Sequence, residues 1–283
     1  MSKSLKLLAI LAHPDDESMA IGGALAKYAA EGVETYLISA TRGERGWFGP
    51  AEDYPGPEAL GHIREAELYA AADVLGLQEV NFLDYMDGEV DQADPAEIIA
   101  KIVTHLRRIR PQVVLTFDPY GLYGHPDHIA ISQYTTAAIV AAADPSCEIG
   151  TGLSHRVSKL YYRSFRAAEG AAYQSALGDL VMTIDGAKRR LTSWPSWAIT
   201  TRLDTSAYWA QVWQAISCHR SQLPSFQVFE QLPVEFHQNL WGIQTYYRAF
   251  SFANGGRKIE DDLFTGIDQT VQPYLMQLPL LAR

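Results

Sequence analysis

Cysteine is scarce: Cys147 and Cys218 are the only two among 283 residues. Neither lies in a CxxC pair and two cannot build a disulfide framework, so a reduced, cytoplasmic setting is expected. Basic charge is also short, with 23 Lys and Arg against 33 Asp and Glu and a formal net charge of −10. That balance lacks the footprint of a nucleic-acid binder. No run approaches the roughly 20 apolar residues that span a bilayer. The first apolar run, Leu7 to Ala12, ends in His13, Pro14 and two acids; it is shorter than a signal-peptide core and reads as a buried strand. Gly22-Gly23 makes no GxGxxG, and no serine sits in GxSxG, so a dinucleotide fingerprint and a nucleophile elbow are both missing. Repeats, low-complexity tracts and Gly/Ser linkers are absent as well. One domain over residues 1–283 is therefore expected.

What is there is apolar material enough for a sizeable core, at 47% of residues. Residues 1–145 repeat one rhythm. Strands are expected at Leu5–Ala12, Val33–Ala40, Val80–Leu83 and Val113–Phe117. Helices are expected over Ser18–Ala30 and around Ile63, Ala66, Ala70, Val74 and Leu77. A third opens at the capping box Asp94-Pro95-Ala96-Glu97 and stops before Pro111, and a fourth runs over Ile129–Ala143. Alternation of this kind predicts an α/β fold: a Rossmann-like, doubly wound, mostly parallel sheet. Residues 146–283 read as an irregular C-terminal extension that shapes the pocket and offers a surface to further copies of the chain. A strand at Val157–Tyr162 and a helix over Asp204–His219 are its clearest elements, and it holds five of the six tryptophans. Between Gly43 and Gly61 lies a Gly- and Pro-rich loop, its Trp47–Pro57 stretch a candidate lid.

Two clusters carry the chemistry. His13-Pro14-Asp15-Asp16-Glu17 follows the first strand directly, and Gly124-His125-Pro126-Asp127-His128 comes shortly after Val113–Phe117. Both fall outside the carboxyl ends of parallel strands, where open α/β sheets bind ligands. Imidazoles with carboxylates suit a divalent metal held by N and O donors, and three protein ligands with one open position mark a catalytic zinc. Adjacent side chains on a tight turn point apart, so one of Asp15 and Asp16 would bind metal while the other faces water. Of His125 and His128, one would be a ligand and one free.

The AHPDDE of Ala12–Glu17 and the GHPDH of Gly124–His128 resemble the paired signatures of the PIG-L/LmbE family of zinc-dependent N-acetylglucosaminyl deacetylases. The likeness takes in TRGE at Thr41–Glu44, REAE at Arg64–Glu67, Asp118-Pro119 and HRSQ at His219–Gln222. The resemblance implies that His13, Asp16 and His128 hold the metal and that Asp15 is the general base. It makes His125 the second catalytic group, which stabilises the oxyanion and protonates the amine, with Asp127 orienting it. Tyr123 takes the place of a mobile tyrosine that polarises the carbonyl. Arg64, Glu44 and Asp87 become contacts to substrate.

Blander readings stand beside these. His13 and Asp16 could only cap a helix, and Arg64–Glu67 could be a helix-surface pair. Tyr123 could be a packing aromatic and His219 a packed histidine. Arg107, Arg108 and Arg110 complement a helix dipole. The expected activity is removal of an N-acyl group, acetyl by preference, from a small glucosamine-type sugar or conjugate. Zinc is the default ion, and iron(II) suits the same donors. The rival classes are a non-haem Fe(II) enzyme built on the same triad and a non-catalytic Rossmann-like binding module.

Overall fold

The computed structural model describes residues 4–178, 181–184, 186–256 and 258–267. Strand and helix alternate as the apolar rhythm requires. Strands β1 (Lys6–Leu11), β2 (Glu34–Thr41), β3 (Glu79–Tyr85), β4 (Val113–Phe117) and β5 (Lys159–Arg163) pair in parallel, in the order 3-2-1-4-5. Between them run α1 (Asp16–Ala30), α2 (Pro57–Leu75), α3 (Pro95–Ile109), the short α4 (Gly121–Gly124) and α5 (Pro126–Ala143). Leu7 through Ala12 and Val113 through Leu115 are wholly buried. Each such Leu or Ile contributes on the order of 1.5–3 kcal/mol by leaving water. Strands β1 and β4 are neighbours, and the chain continues from them in opposite directions along the sheet. That arrangement is the switch point of a doubly wound fold.

The extension adds β6 (Phe165–Arg166), α6 (Ala167–Leu177), a hairpin of β7 (Val181–Ile184) and β8 (Ala187–Arg190), β9 (Ser193–Trp194), β10 (Thr201–Asp204), α7 (Trp209–Ile216), α8 (Leu223–Glu230), α9 (Val234–Trp241) and β11 (Ile243–Ser251). Strands β11 and β10 continue the same sheet antiparallel beyond β5. No helix among the described residues is long and apolar enough to cross a membrane.

Several boundaries differ from the sequence expectation. The Gly43–Gly61 loop ends early, because Pro57 is pre-set for the first helical turn and α2 starts there. Its buried face carries Leu60, Arg64, Leu68 and Leu75, whereas Ile63 is exposed; a buried arginine hides this face from an apolar-periodicity reading. Pro126 likewise opens α5 three residues before Ile129. The helix expected over Asp204–His219 is split. Asp204 ends β10, and the helix covers only Trp209–Ile216.

Gly22 and Gly23 serve packing. A Cβ on Gly23 would lie 2.8 Å from the Thr205 side chain, and one on Gly22 3.4 Å from Val212, so the extension presses closely on α1. In Gly23→Ala the helix-propensity gain of up to about 1 kcal/mol is expected to lose to overpacking of about 1–3 kcal/mol. A lower urea midpoint with an unchanged slope checks this, and a raised midpoint contradicts it.

Candidate metal centre and active site

Both clusters sit at the carboxyl ends of β1 and β4. Phe117, the last residue of β4, stacks flat on the His128 ring at 3.9 Å between centroids. His125 is the N-cap of α5, and its Nδ1 accepts from the Asp127 amide at 3.2 Å. His128 therefore falls in the first turn of α5, buried and facing back toward β1.

Three donors converge. Nδ1 of His13 lies 3.2 Å from Nε2 of His128 and 3.6 Å from Oδ2 of Asp16. Nε2 of His128 lies 3.5 Å from Oδ1 of Asp16. Ligands about 2.0–2.2 Å from a tetrahedral zinc are separated by roughly 3.3–3.5 Å, so this triangle has the size of a metal's coordination face. His125 also brings a ring nitrogen within 4.8 Å of ligand atoms of His13 and His128.

Charge fits the same reading. Burial opposes a proton on His13, but Asp87, Asp127 and Asp16 outweigh it and raise the ring's pKa well above its ordinary value; the acids demand a cation at this point. His128 is held well below the usual range by burial, then by His13 and His125, and a neutral imidazole is what a metal requires. Nδ1 of His128 is buried with no regular hydrogen bond among the described residues. Asp16 is pushed up to about 7 by burial. The other nitrogen of His13, Nε2, lies 3.1 Å from Oδ1 of Asp87 and 3.1 Å from Oδ2 of Asp127. His13, Asp87 and Asp127 form a second set of clustered donors. A proton on Nε2 explains that set without an ion, since it is the carboxylate partner that ligating histidines keep on their far side.

Two expectations change here. The Asp127 carboxylate does not orient His125. It contacts His13 and accepts from the amides of Gly88 at 2.7 Å and Val90 at 3.1 Å, because α5 turns it toward the loop after β3. Arg64 is not free to reach into solution for substrate. It is 3% exposed and donates to the carbonyls of Gly43 and Pro14 and, at 3.2 Å, to Oδ2 of Asp15. Side chains at Gly43 and Gly46 would collide with this guanidinium. Asp87 and Glu44 also meet protein: Asp87 takes the Arg45 amide besides His13, and Glu44 takes the Asp87 amide at 3.2 Å.

Asp15 occupies the N-cap of α1 without using its side chain as a cap, so simple capping does not account for it. Its φ is 107°, a left-handed conformation that costs a non-glycine residue on the order of 1–3 kcal/mol. Burial raises its carboxyl pKa while Arg64 works against that. The Tyr123 ring stands edge-on to His128 at 5.0 Å; burial and nearby acids hold its phenol protonated, well above pKa 10. Burial and His13 bring His125 down to about 4. The Trp47–Pro57 stretch folds on itself, Trp47 donating to the Pro50 carbonyl and Tyr54 to that of Glu44. From the extension, Arg189 donates to the Gly124 carbonyl and Trp194 donates to Asp118 at 2.6 Å. Beside Pro126 a cavity of about 280 Å³ is lined in part by Asp91, Gln133, Tyr134 and Arg189.

Glu17 carries a role the sequence reading passed over. It is wholly buried and accepts the Asp15 amide at 3.0 Å, the Ser18 hydroxyl, and Nε2 of His219 at 2.7 Å. Burial pushes Glu17 up, but His219 and these donors bring it below the ordinary carboxylate value, and His219 is raised in return. The HRSQ tetrapeptide was the available signal.

Residues 8–139 match the PIG-L family, described as GlcNAc-PI de-N-acetylase. A 1D-myo-inositol 2-acetamido-2-deoxy-alpha-D-glucopyranoside deacetylase of Rhodococcus jostii is 34% identical over 247 residues, covering 77% of this chain and 82% of that one. A mycothiol S-conjugate amidase of Streptomyces coelicolor is 29% identical over 298 residues, covering 94% and 99%. In fold, the chain resembles the N,N'-diacetylchitobiose deacetylase of Pyrococcus horikoshii, with a TM-score of 0.62, 22% identity, and coverage of 81% and 74%.

Proposed function

We propose that this chain, which belongs to the PIG-L family, is a metal-dependent amidohydrolase. It removes an acetyl group from the nitrogen of a glucosamine-type sugar or sugar conjugate. The carrying observation is the triangle of His13, Asp16 and His128 donors, 3.2–3.6 Å on a side, with the Asp15 carboxylate next along the same turn. Those three residues would hold the ion. Zinc suits the set, and iron(II) would be accepted by the same donors. When bound, such an ion supplies Lewis acidity, polarising a carbonyl and making water acidic near neutral pH.

The chain's own groups do the remainder. Asp15 takes a proton from the attacking water, and its Arg64 contact holds the carboxylate in place. The Tyr123 hydroxyl, protonated at every working pH, donates to the carbonyl oxygen as negative charge gathers there. His125, kept neutral by burial and by His13, would relay to the departing amine the proton that Asp15 has taken from water, so that the amine does not leave as a poor anion. Asp87 and Asp127 fix the ring of His13, while Arg64 and Glu44 hold the loops that form the floor of the substrate pocket. The described residues act as one domain, those after 145 forming the pocket wall and a surface on which copies of the chain can associate.

The test is anaerobic incubation of the zinc-loaded protein with a panel of N-acetylglucosamine conjugates, reading acetate and free amine. Equimolar release without oxygen is expected. Absence of release from every member, with metal bound, overturns the reading, and release that needs oxygen assigns the site to oxygenase chemistry.

A further inference from the structure

We propose that His219 is a positioning residue for this hydrolysis, acting through Glu17 on the main chain of Asp15; the inference rests on the reading of Asp15 as the base. The Asp15 amide points at Oε2 of Glu17, 3.0 Å away, from a backbone at φ 107°. A strained turn keeps its direction only while its neighbours fix it, and here the fixing acceptor is a buried carboxylate. Two of the donors to that carboxylate, the Asp15 amide and the Ser18 hydroxyl, belong to the same turn and move with it. A donor from elsewhere in the fold is Nε2 of His219, at 2.7 Å across 202 residues of chain. His219 thus ties the turn to the rest of the molecule.

The tether is itself anchored. His219 follows α7, which packs on both α1 and α2. Within the same tetrapeptide, Ser221 donates through its amide at 2.8 Å and its hydroxyl at 2.7 Å to Glu67, one helical turn beyond Arg64. Gln222 donates to the Gly46 carbonyl at 2.7 Å, in the loop that cradles the Arg64 guanidinium. The tetrapeptide therefore grips three segments around Asp15: its own turn, the helix that bears Arg64, and the loop on which Arg64 rests. A histidine that merely filled space would need none of these directed contacts.

The experiment compares the zinc-loaded full chain with His219→Ala, His219→Gln and Glu17→Asp. Misplacing a reacting group by about 1 Å costs up to about 10²-fold, so His219→Ala is expected to lose about 10–100-fold in kcat, with KM and zinc stoichiometry unchanged. His219→Gln, whose amide nitrogen can stand where Nε2 stood, is expected to recover most of that loss. A readout independent of turnover is the Asp15 amide proton in NMR spectra. It should move upfield and exchange faster in His219→Ala and in Glu17→Asp, which keeps the anion but withdraws it by one methylene. Should His219→Ala not fold, Glu17→Asp carries the test by the same two readouts. Equal kcat in the alanine and glutamine variants, or an Asp15 amide unmoved in the folded variants, overturns the proposal. A wild-type chain that releases no amine from any N-acetyl amino sugar defeats the functional reading instead, and the amide proton still decides whether His219 holds Asp15.

Discussion

Asp15→Asn is expected to lower kcat by at least ~10², the scale of a lost general base, while the protein keeps its full complement of metal. Asparagine is the substitution to choose because it tolerates left-handed backbone better than alanine does. It preserves the volume beside Arg64 and leaves the amide hydrogen bond to Glu17 intact. What it removes is the capacity to take a proton. Steady-state kinetics on an N-acetylglucosamine conjugate, with elemental analysis of the same sample, separates the two effects. A kcat within tenfold of wild type would remove Asp15 from the mechanism; loss of metal would make it a ligand in place of Asp16.

His128→Ala is expected to act the other way, abolishing stoichiometric metal binding and, with it, turnover. Outer partners of metal sites typically cost about 10–100-fold in affinity when removed, and a direct ligand should cost more. The ring is buried between Phe117 and the His13 and Asp16 donors, and His125, whose nitrogen lies within 4.8 Å, is engaged as the N-cap of α5 by the Asp127 amide. Because the vacated space beside Phe117 also lowers stability, the measurement is metal titration by calorimetry on protein whose circular dichroism is native. Full occupancy in a folded variant would contradict the ligand assignment.

The candidate ligands His13, Asp16 and His128 are legible because each cluster interrupts the apolar rhythm. Leu7–Ala12 and Val113–Phe117 are buried through their length, and polar residues following such runs have few purely structural uses. The parallel, doubly wound character of the sheet follows from the same alternation, whereas its strand order does not. Other features left no local trace. Glu17 and His219 become partners only when α7 closes on α1, and no spacing rule joins residues that distant. The spacing of Ile63, Ala66 and Ala70 marks an exposed face of α2, because the buried face carries Arg64 and a salt-bridged guanidinium imitates surface. Strands β10 and β11 carry Arg202, Gln244 and Arg248, whose polar character blurs the pattern of sheet edges. The Asp127 carboxylate meets His13 and not the neighbouring His125 because its direction depends on the first turn of α5, which proximity in sequence does not reveal.

The chain leaves β1 and β4 in opposite directions along the sheet, so the notch between them has no connection of its own running over it. Whatever encloses a bound molecule must arrive from another part of the polypeptide. Here it comes late, with Arg189 reaching the Gly124 carbonyl and Trp194 reaching Asp118. The two motif clusters and the contacts that close over the notch thus lie more than 60 residues apart in the chain, and only folding brings them together.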